Sequence, residues 1–128
     1  MRWLTQIWRP RSLGERGERL AARYLSKQGY DIVARNLRLG DDEADLLAID
    51  GTGTLVIVEV KTRRDDSIVA EASVGAAKRH RLTRIAARLQ RKAEYRGKPI
   101  RFDVIAIVWP ARGSPSIRHS VAAFDATL

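Results

Sequence analysis

Two runs of strand length, Ala44 to Ile49 and Thr54 to Val60, are almost wholly apolar and are separated only by Asp50-Gly51-Thr52-Gly53. A strand with one wet face alternates apolar and polar residues. These runs do not alternate, so both faces of each must be covered, which calls for helices on either side of a sheet. The chain supplies two helices. In the first, Leu13, Leu20, Ala21, Tyr24 and Leu25 recur at helical spacing, with Ser12 placed to cap the start and Gly29 to end it. Gly14 and Gly17, one turn apart, weaken that helix by propensity and suit a close approach to the sheet. The second helix is expected over Ala76 to Tyr95, with Leu82, Ile85, Ala86, Leu89 and Ala93 as its apolar stripe.

Tyr30 to Leu37 reads as a first strand, followed by a polar loop, Gly40-Asp41-Asp42. Ile100 to Trp109 reads as a fourth strand stopped by Pro110, and Ile117 to Phe124 as a last strand at the sheet edge. A length of 128 residues, with no internal repeat and no linker, gives one domain over residues 1–128. The order of helix, three strands, helix, then one or two strands defines an α/β class with a mixed sheet of four to five strands.

The net charge of +9 is concentrated. Lys78 to Arg101 holds ten Lys or Arg against the single acid Glu94, and the rest of the chain balances. Arg81, Arg84, Arg88, Arg91 and Lys92 gather on a helix face away from the apolar stripe, the footprint of a polyanion ligand, of which nucleic acid is the commonest. With no cysteine there is neither a disulfide frame nor a zinc knuckle, so any metal needs oxygen or histidine ligands. The opening MRWLTQIWRPRS is too short and too charged for a signal peptide, and no apolar run is long enough to span a membrane; a cytoplasmic protein is expected.

Charged residues bracket the apolar hairpin. The strand period places Glu43 and Asp45 on one face and Glu59 and Lys61 on one face of the next strand. With a three-residue turn at Gly51-Thr52-Gly53, Asp50 faces Thr54 and Asp45 faces Glu59, with Cβ atoms about 5 Å apart. At an effective dielectric near 20, two like charges at that distance repel by roughly 3 kcal/mol. A divalent cation, a shared proton or neighbouring Lys61 would each relieve this. Mg²⁺ suits the first solution, and a lysine beside it completes an apparatus for phosphodiester hydrolysis. A two-residue turn at Asp50-Gly51 would instead set Asp42 across from Glu59, and two apolar faces do not choose between registers. A metal site and an ion-paired sheet edge both stay open on spacing alone.

GDDEADLLAID, VEVKTR, Lys78 within AAKRHRL, RFDV at Arg101 to Val104 and the opening GERGERLAARYLSKQGYDIVARNLR together resemble the YraN-type bacterial proteins. Those are regarded as relatives of restriction-endonuclease-like PD-(D/E)xK nucleases and of archaeal Holliday junction resolvases. The likeness runs from about Gly14 to Phe124. It implies a restriction-endonuclease-like fold with helices on both sheet faces. It also implies a Mg²⁺- or Mn²⁺-dependent endonuclease acting on DNA, branched or single-stranded, or a nucleic-acid-binding protein that keeps the fold without the chemistry. By the same resemblance Asp45, Glu59 and the Val60 carbonyl match metal ligands, Lys61 the catalytic lysine, and Glu43 and Glu18 accessory acids near the metal. Resolvase-like proteins pair two sites, so a homodimer is an expectation too.

The sequence departs from the family pattern at Asp42, where an extra acid either crowds the metal or supplies a ligand, and at Ala44, which replaces a larger aliphatic residue. The stretch DDSIVAEASVGAAK lacks the usual Phe-Gly. Arg63, Arg64, Lys78, Arg81, Arg84 and Arg88 are the expected phosphate contacts. Asp103 is expected to pair with Arg101 or a helix-two arginine, and His80 and His119 to lie at the surface. Trp3 and Trp8, set among arginines, either stack bases or pack the terminus.

Overall fold

Residues 11–66 and 74–126 are described by a computed structural model. Trp3, Trp8 and the part of the DDSIVAEASVGAAK stretch at residues 67–73 lie outside the described residues. Helix α1 (Leu13–Lys27) is followed by strands β1 (Asp31–Leu39), β2 (Asp42–Ile49) and β3 (Leu55–Arg63). Helix α2 (Ala76–Gln90), a short 3₁₀ turn (Ala93–Tyr95), β4 (Ile100–Val108) and β5 (Ser116–Phe124) complete the chain. The strands form one sheet in sequence order, β1-β2-β3-β4-β5. Only β3 and β4 run parallel, from Leu55↔Ile100 to Arg63↔Val108. A parallel pair needs a crossover, which α2 provides.

Central β3 shows why both helices are required. Leu55 and Ile57 pack with Leu82, Ile85, Ala86 and Leu89 of α2 on one side of the sheet. Val56 and Val58 pack with Ala21 and Leu25 of α1, and with Ile105 and Ile107 of β4, on the other. The expected mixed α/β class is therefore observed, with five strands and a helix on each face.

Ser12 caps α1 by accepting the Glu15 N–H at 3.1 Å, and Gly29 follows the helix with φ +93°. The α-helical part of α2 stops at Gln90, short of the expected Tyr95. Ala93, the last member of the predicted stripe, is exposed; Lys92 turns extended and Tyr95 packs against the α2-side cluster instead. β3 continues past Val60 to Arg63 because its parallel partner β4 runs alongside to Val108, which puts Lys61 inside a strand. Asp42, expected in a loop, begins β2 and is buried.

The glycine pair of α1 divides in two. A Cβ at Gly17 would clash with the Thr62 side chain, its Cβ only 2.8 Å away, so helix and strand touch through that missing atom. A Cβ at Gly14 would meet nothing nearer than the Ser12 hydroxyl at 3.9 Å, so close approach explains Gly17 alone. Gly17→Ala is expected to lower stability by about 1–3 kcal/mol through overpacking. Gly14→Ala is expected to raise it by about 0.5–1 kcal/mol through helix propensity. Thermal unfolding of the two variants beside wild type reads the opposite signs directly.

Candidate active site

The hairpin between β2 and β3 takes the three-residue turn. Asp50 N–H bonds the Thr54 carbonyl at 3.1 Å, Gly53 has φ +89°, and pairing runs from Ile49↔Leu55 to Leu46↔Val58. One Asp50 carboxylate oxygen accepts the Thr52 N–H at 2.9 Å, the Thr52 hydroxyl at 2.7 Å and the Thr54 N–H at 3.0 Å. The other takes Arg101 Nη1 from β4 at 2.9 Å. Burial opposes ionisation of Asp50, but the bonds from Thr52, Thr54 and Arg101 outweigh it and bring its pKa down to about 2.

The ladder ends at Leu46↔Val58, and one step further along the same register Asp45 comes opposite Glu59. Asp45 Oδ2 accepts the Val60 N–H at 2.8 Å, a bond the Ala44 carbonyl would make if regular pairing continued. The irregularity is shared with β1. Ala44 and Leu47 both face the α2 side while Leu46 faces α1, so β2 slips its alternation around Asp45. Asn36 lies across from Asp45, between the pairs Leu37↔Ala44 and Arg35↔Leu46, and has φ +51°.

Glu59 is 4% exposed. Its Oε1 lies 3.8 Å from Lys61 Nζ and its Oε2 lies 3.2 Å from Lys78 Nζ, yet no described donor is aligned on buried Oε2 for a hydrogen bond. Burial and then the adjacent Asp45 carboxylate push its pKa up to about 7, against the pull of the two lysines. Two carboxylates, two ammonium groups and an unsatisfied acceptor therefore meet at the point where β2 leaves β3.

Glu18, the residue after Gly17 in α1, is turned toward this point. Burial, then Asp45 and Glu43, raise its pKa. Among the described residues no three carboxylate or imidazole groups gather closely enough to form a ready-made metal cage. Glu18 thus stands outside the Asp45–Glu59 pair. Glu43 is half-exposed and 3.7 Å from Arg38 Nε across the β1–β2 pair. Val60 reaches the centre through its N–H. Arg63 and Arg64 are exposed just beyond Lys61 and bond the backbone oxygens of Thr62 and Trp109, respectively. Arg81 and Arg88 are exposed on α2, with Arg88 lying over Gly40.

Two expectations are revised. Arg84, read as a phosphate contact, holds Asp42 through two bonds of 2.9 and 2.8 Å, keeping that carboxyl below its usual range. The extra acid of the motif therefore anchors the β1–β2 turn to α2, and its carboxylate is already engaged. His119 is not a surface residue: its side chain is 8% exposed. Its Nε2 sits 2.8 Å from Asp103, and Asp103 also accepts from Arg101 and from the Ala122 N–H. An aspartate inside an apolar strand needs several partners, and Ile117 at i−2 of His119 on β5 was the available hint. Asp103 does pair with Arg101, as expected.

These features define a small α/β protein with a carboxylate pair, one member buried, and two lysines at the open end of a hairpin. The model of the family described as "Uncharacterised protein family UPF0102" matches residues 17–107. The chain belongs to that family, the YraN-type group its sequence resembles. A UPF0102 protein of Arthrobacter sp. is 44% identical over 108 residues, covering 84% of this chain and 91% of that protein. One from Geotalea uraniireducens is 40% identical over 116 residues, covering 90% of this chain and 91% of its own. Among solved structures, an EndoMS–dsDNA complex is similar with a TM-score of 0.49 and 17% identity, over 81% of this chain and 41% of that one. A repair endonuclease from Pyrococcus abyssi gives a TM-score of 0.43 and 15% identity, over 80% and 42%. No described helix is long and apolar enough to cross a membrane.

The raised pKa of Glu59 has a stability consequence. Between about 4.5, where an unfolded glutamate titrates, and about 7, the folded state holds the proton more tightly. Stability therefore falls as pH rises through that window, by up to ~3 kcal/mol, and is level above it. In chelator, urea titrations at pH 4.5 and pH 8 should show this fall in wild type and a much smaller one in Glu59→Gln.

Proposed function

We propose that this UPF0102 protein is a divalent-metal-dependent nuclease of restriction-endonuclease-like type that hydrolyses phosphodiester bonds in DNA. The observation that carries the reading is buried Glu59 Oε2, an acceptor without an aligned donor, held beside the Asp45 carboxylate. Such an atom is costly unless something electropositive completes it. A hard cation with oxygen ligands fits that donor set, and Mg²⁺ or Mn²⁺ commonly takes one or two carboxylates and keeps its waters. Asp45 and Glu59 would hold it, and the family resemblance adds the Val60 carbonyl as a ligand and Glu18 as an accessory acid. Once bound, the ion supplies Lewis acidity and a water of lowered pKa.

The protein's own groups do the rest. Asp45 is held in place by the Val60 N–H, so its carboxylate is fixed before substrate arrives. Lys61, on a strand and mostly buried, keeps an ammonium group at the acidic centre, where it orients a nucleophilic water and offsets charge developing on the phosphoryl oxygens. Lys78, from the first turn of α2, reaches the same carboxylate and offers a second cation to the scissile phosphate. Glu43 is an accessory acid at the rim. Arg63, Arg64, Arg81 and Arg88 hold the backbone without reading sequence. Branched and single-stranded DNA are the substrates to test first.

A non-catalytic nucleic-acid-binding protein is the second reading, favoured by the approach of both lysines to Glu59, which partly answers its charge without a metal. The two readings separate in one experiment using linear, flapped and four-way DNA with Mg²⁺ or Mn²⁺. Asp45→Asn, Glu59→Gln and Lys61→Ala should each lower cleavage by about 10²-fold or more while binding persists. Nicking that is equal in wild type and all three variants belongs to a contaminant and sinks the catalytic reading.

A further inference from the structure

A second feature lies on the α1 side of the centre. The first turns of α1 and the irregular part of β1 border an open cavity of about 180 Å³ lined by Arg11, Glu15, Glu18, Arg19, Arg35 and Asn36. Five of the six residues are charged, yet among the described residues none of the three arginines forms an ion pair or hydrogen bond, with Glu15, Glu18 or any other group. All three arginines are exposed, and although Arg35 acts on Glu18 at longer range, their guanidinium forks are open to a ligand from solvent.

The backbone shows how this arrangement is made. Ala34 and Leu37 both pack on the α2 side although they are three residues apart, so β1 loses its alternation between them. The slip is taken up at Asn36, whose φ of +51° is a conformation that asparagine tolerates better than most residues. Arg35 and Asn36, which a regular strand would send to opposite faces, therefore both border the cavity beside α1. Left-handed non-glycine residues of this kind recur at functional sites. Glu18 lines the cavity and also senses the Asp45 carboxylate, so the cavity adjoins the acidic centre.

We infer that this cavity binds a phosphate group of the nucleic-acid strand engaged at the acidic centre, with Arg19 and Arg35 as its principal contacts and Arg11 at its rim. The planar forks of arginine match phosphate oxygens in pairs, and three of them outweigh two carboxylates. The inference rests on the nuclease reading for its ligand class but not for catalysis. Both a terminal phosphate monoester and an internal diester offer the required oxygens.

The test is equilibrium binding in chelator, where nothing is cleaved, read by fluorescence anisotropy with 3′-labelled single strands. One set carries a 5′-phosphate or a 5′-hydroxyl; another carries a single uncharged methylphosphonate at each internal position in turn. Arg35→Ala and Arg19→Ala are expected to weaken binding about tenfold at low salt and to reduce the slope of log K against log salt by about 1 each. Each should also lose the wild-type sensitivity to neutralisation at one position: the 5′ end if the ligand is the monoester, one internal site if it is the diester. Wild-type affinity and salt slope in both arginine variants, or a loss spread evenly over every methylphosphonate position, would overturn the inference. Positional coupling without cleavage under any metal would uphold this site and refute the catalytic reading.

Discussion

The carboxylate of Asp50 decides the register on which the candidate site depends. One oxygen closes the turn by taking the Thr52 and Thr54 donors, and the other ties the turn to Arg101 of β4. That choice of a three-residue turn brings Asp45 to Glu59; a turn one residue shorter would send Asp42 there. Asp42 is meanwhile held by Arg84 of α2, so arginines anchor the acids at both ends of β2, Asp42 at its start and Asp50 just past its end, and leave Asp45 to face Glu59.

From that register follows a concentration of local irregularities. The β2–β3 ladder ends at Leu46, just short of Asp45, Asn36 of β1 takes a left-handed φ of +51°, and buried Glu59 has no donor aligned on the oxygen that faces Lys78. In the sheet's centre β3 and β4 bury apolar residues on both faces, and Asp103, fully buried, accepts from Arg101 and the Ala122 N–H and pairs with His119 beside the register shift between Phe102 and Val104. The contrast between Asp103 and Glu59 is informative. Both are carboxylates inside a sheet, but Asp103 has its donors supplied, whereas Glu59 faces two lysines with no donor aligned on its Oε2.

Much of this was legible in the chain. Helix starts at Ser12 and Ala76, a mixed sheet of four to five strands, the Gly17 contact and the placing of Lys61 beside Glu59 follow from periodicity, turn chemistry and motif resemblance, whereas the reach of Lys78 to Glu59 does not. The pairing of Arg84 with Asp42 was not legible, because residues 42 positions apart carry no local signal of contact. His119 was misread for a similar reason, since its partner Asp103 lies on the neighbouring strand. The slip at Asn36 escaped notice because Tyr30 to Leu37 has an acceptable strand composition whether or not its alternation holds.

By itself the sequence determined the class of fold, since two continuous apolar runs must be covered on both faces and only two amphipathic helices are present to cover them. It also determined which charged groups flank those runs, Glu43, Asp45, Glu59 and Lys61. Tertiary structure alone decided which acid faces Glu59 and which arginines are used up internally. Those outcomes depend on hydrogen bonds between β2, β4 and α2, and such bonds compete only once the strands lie side by side.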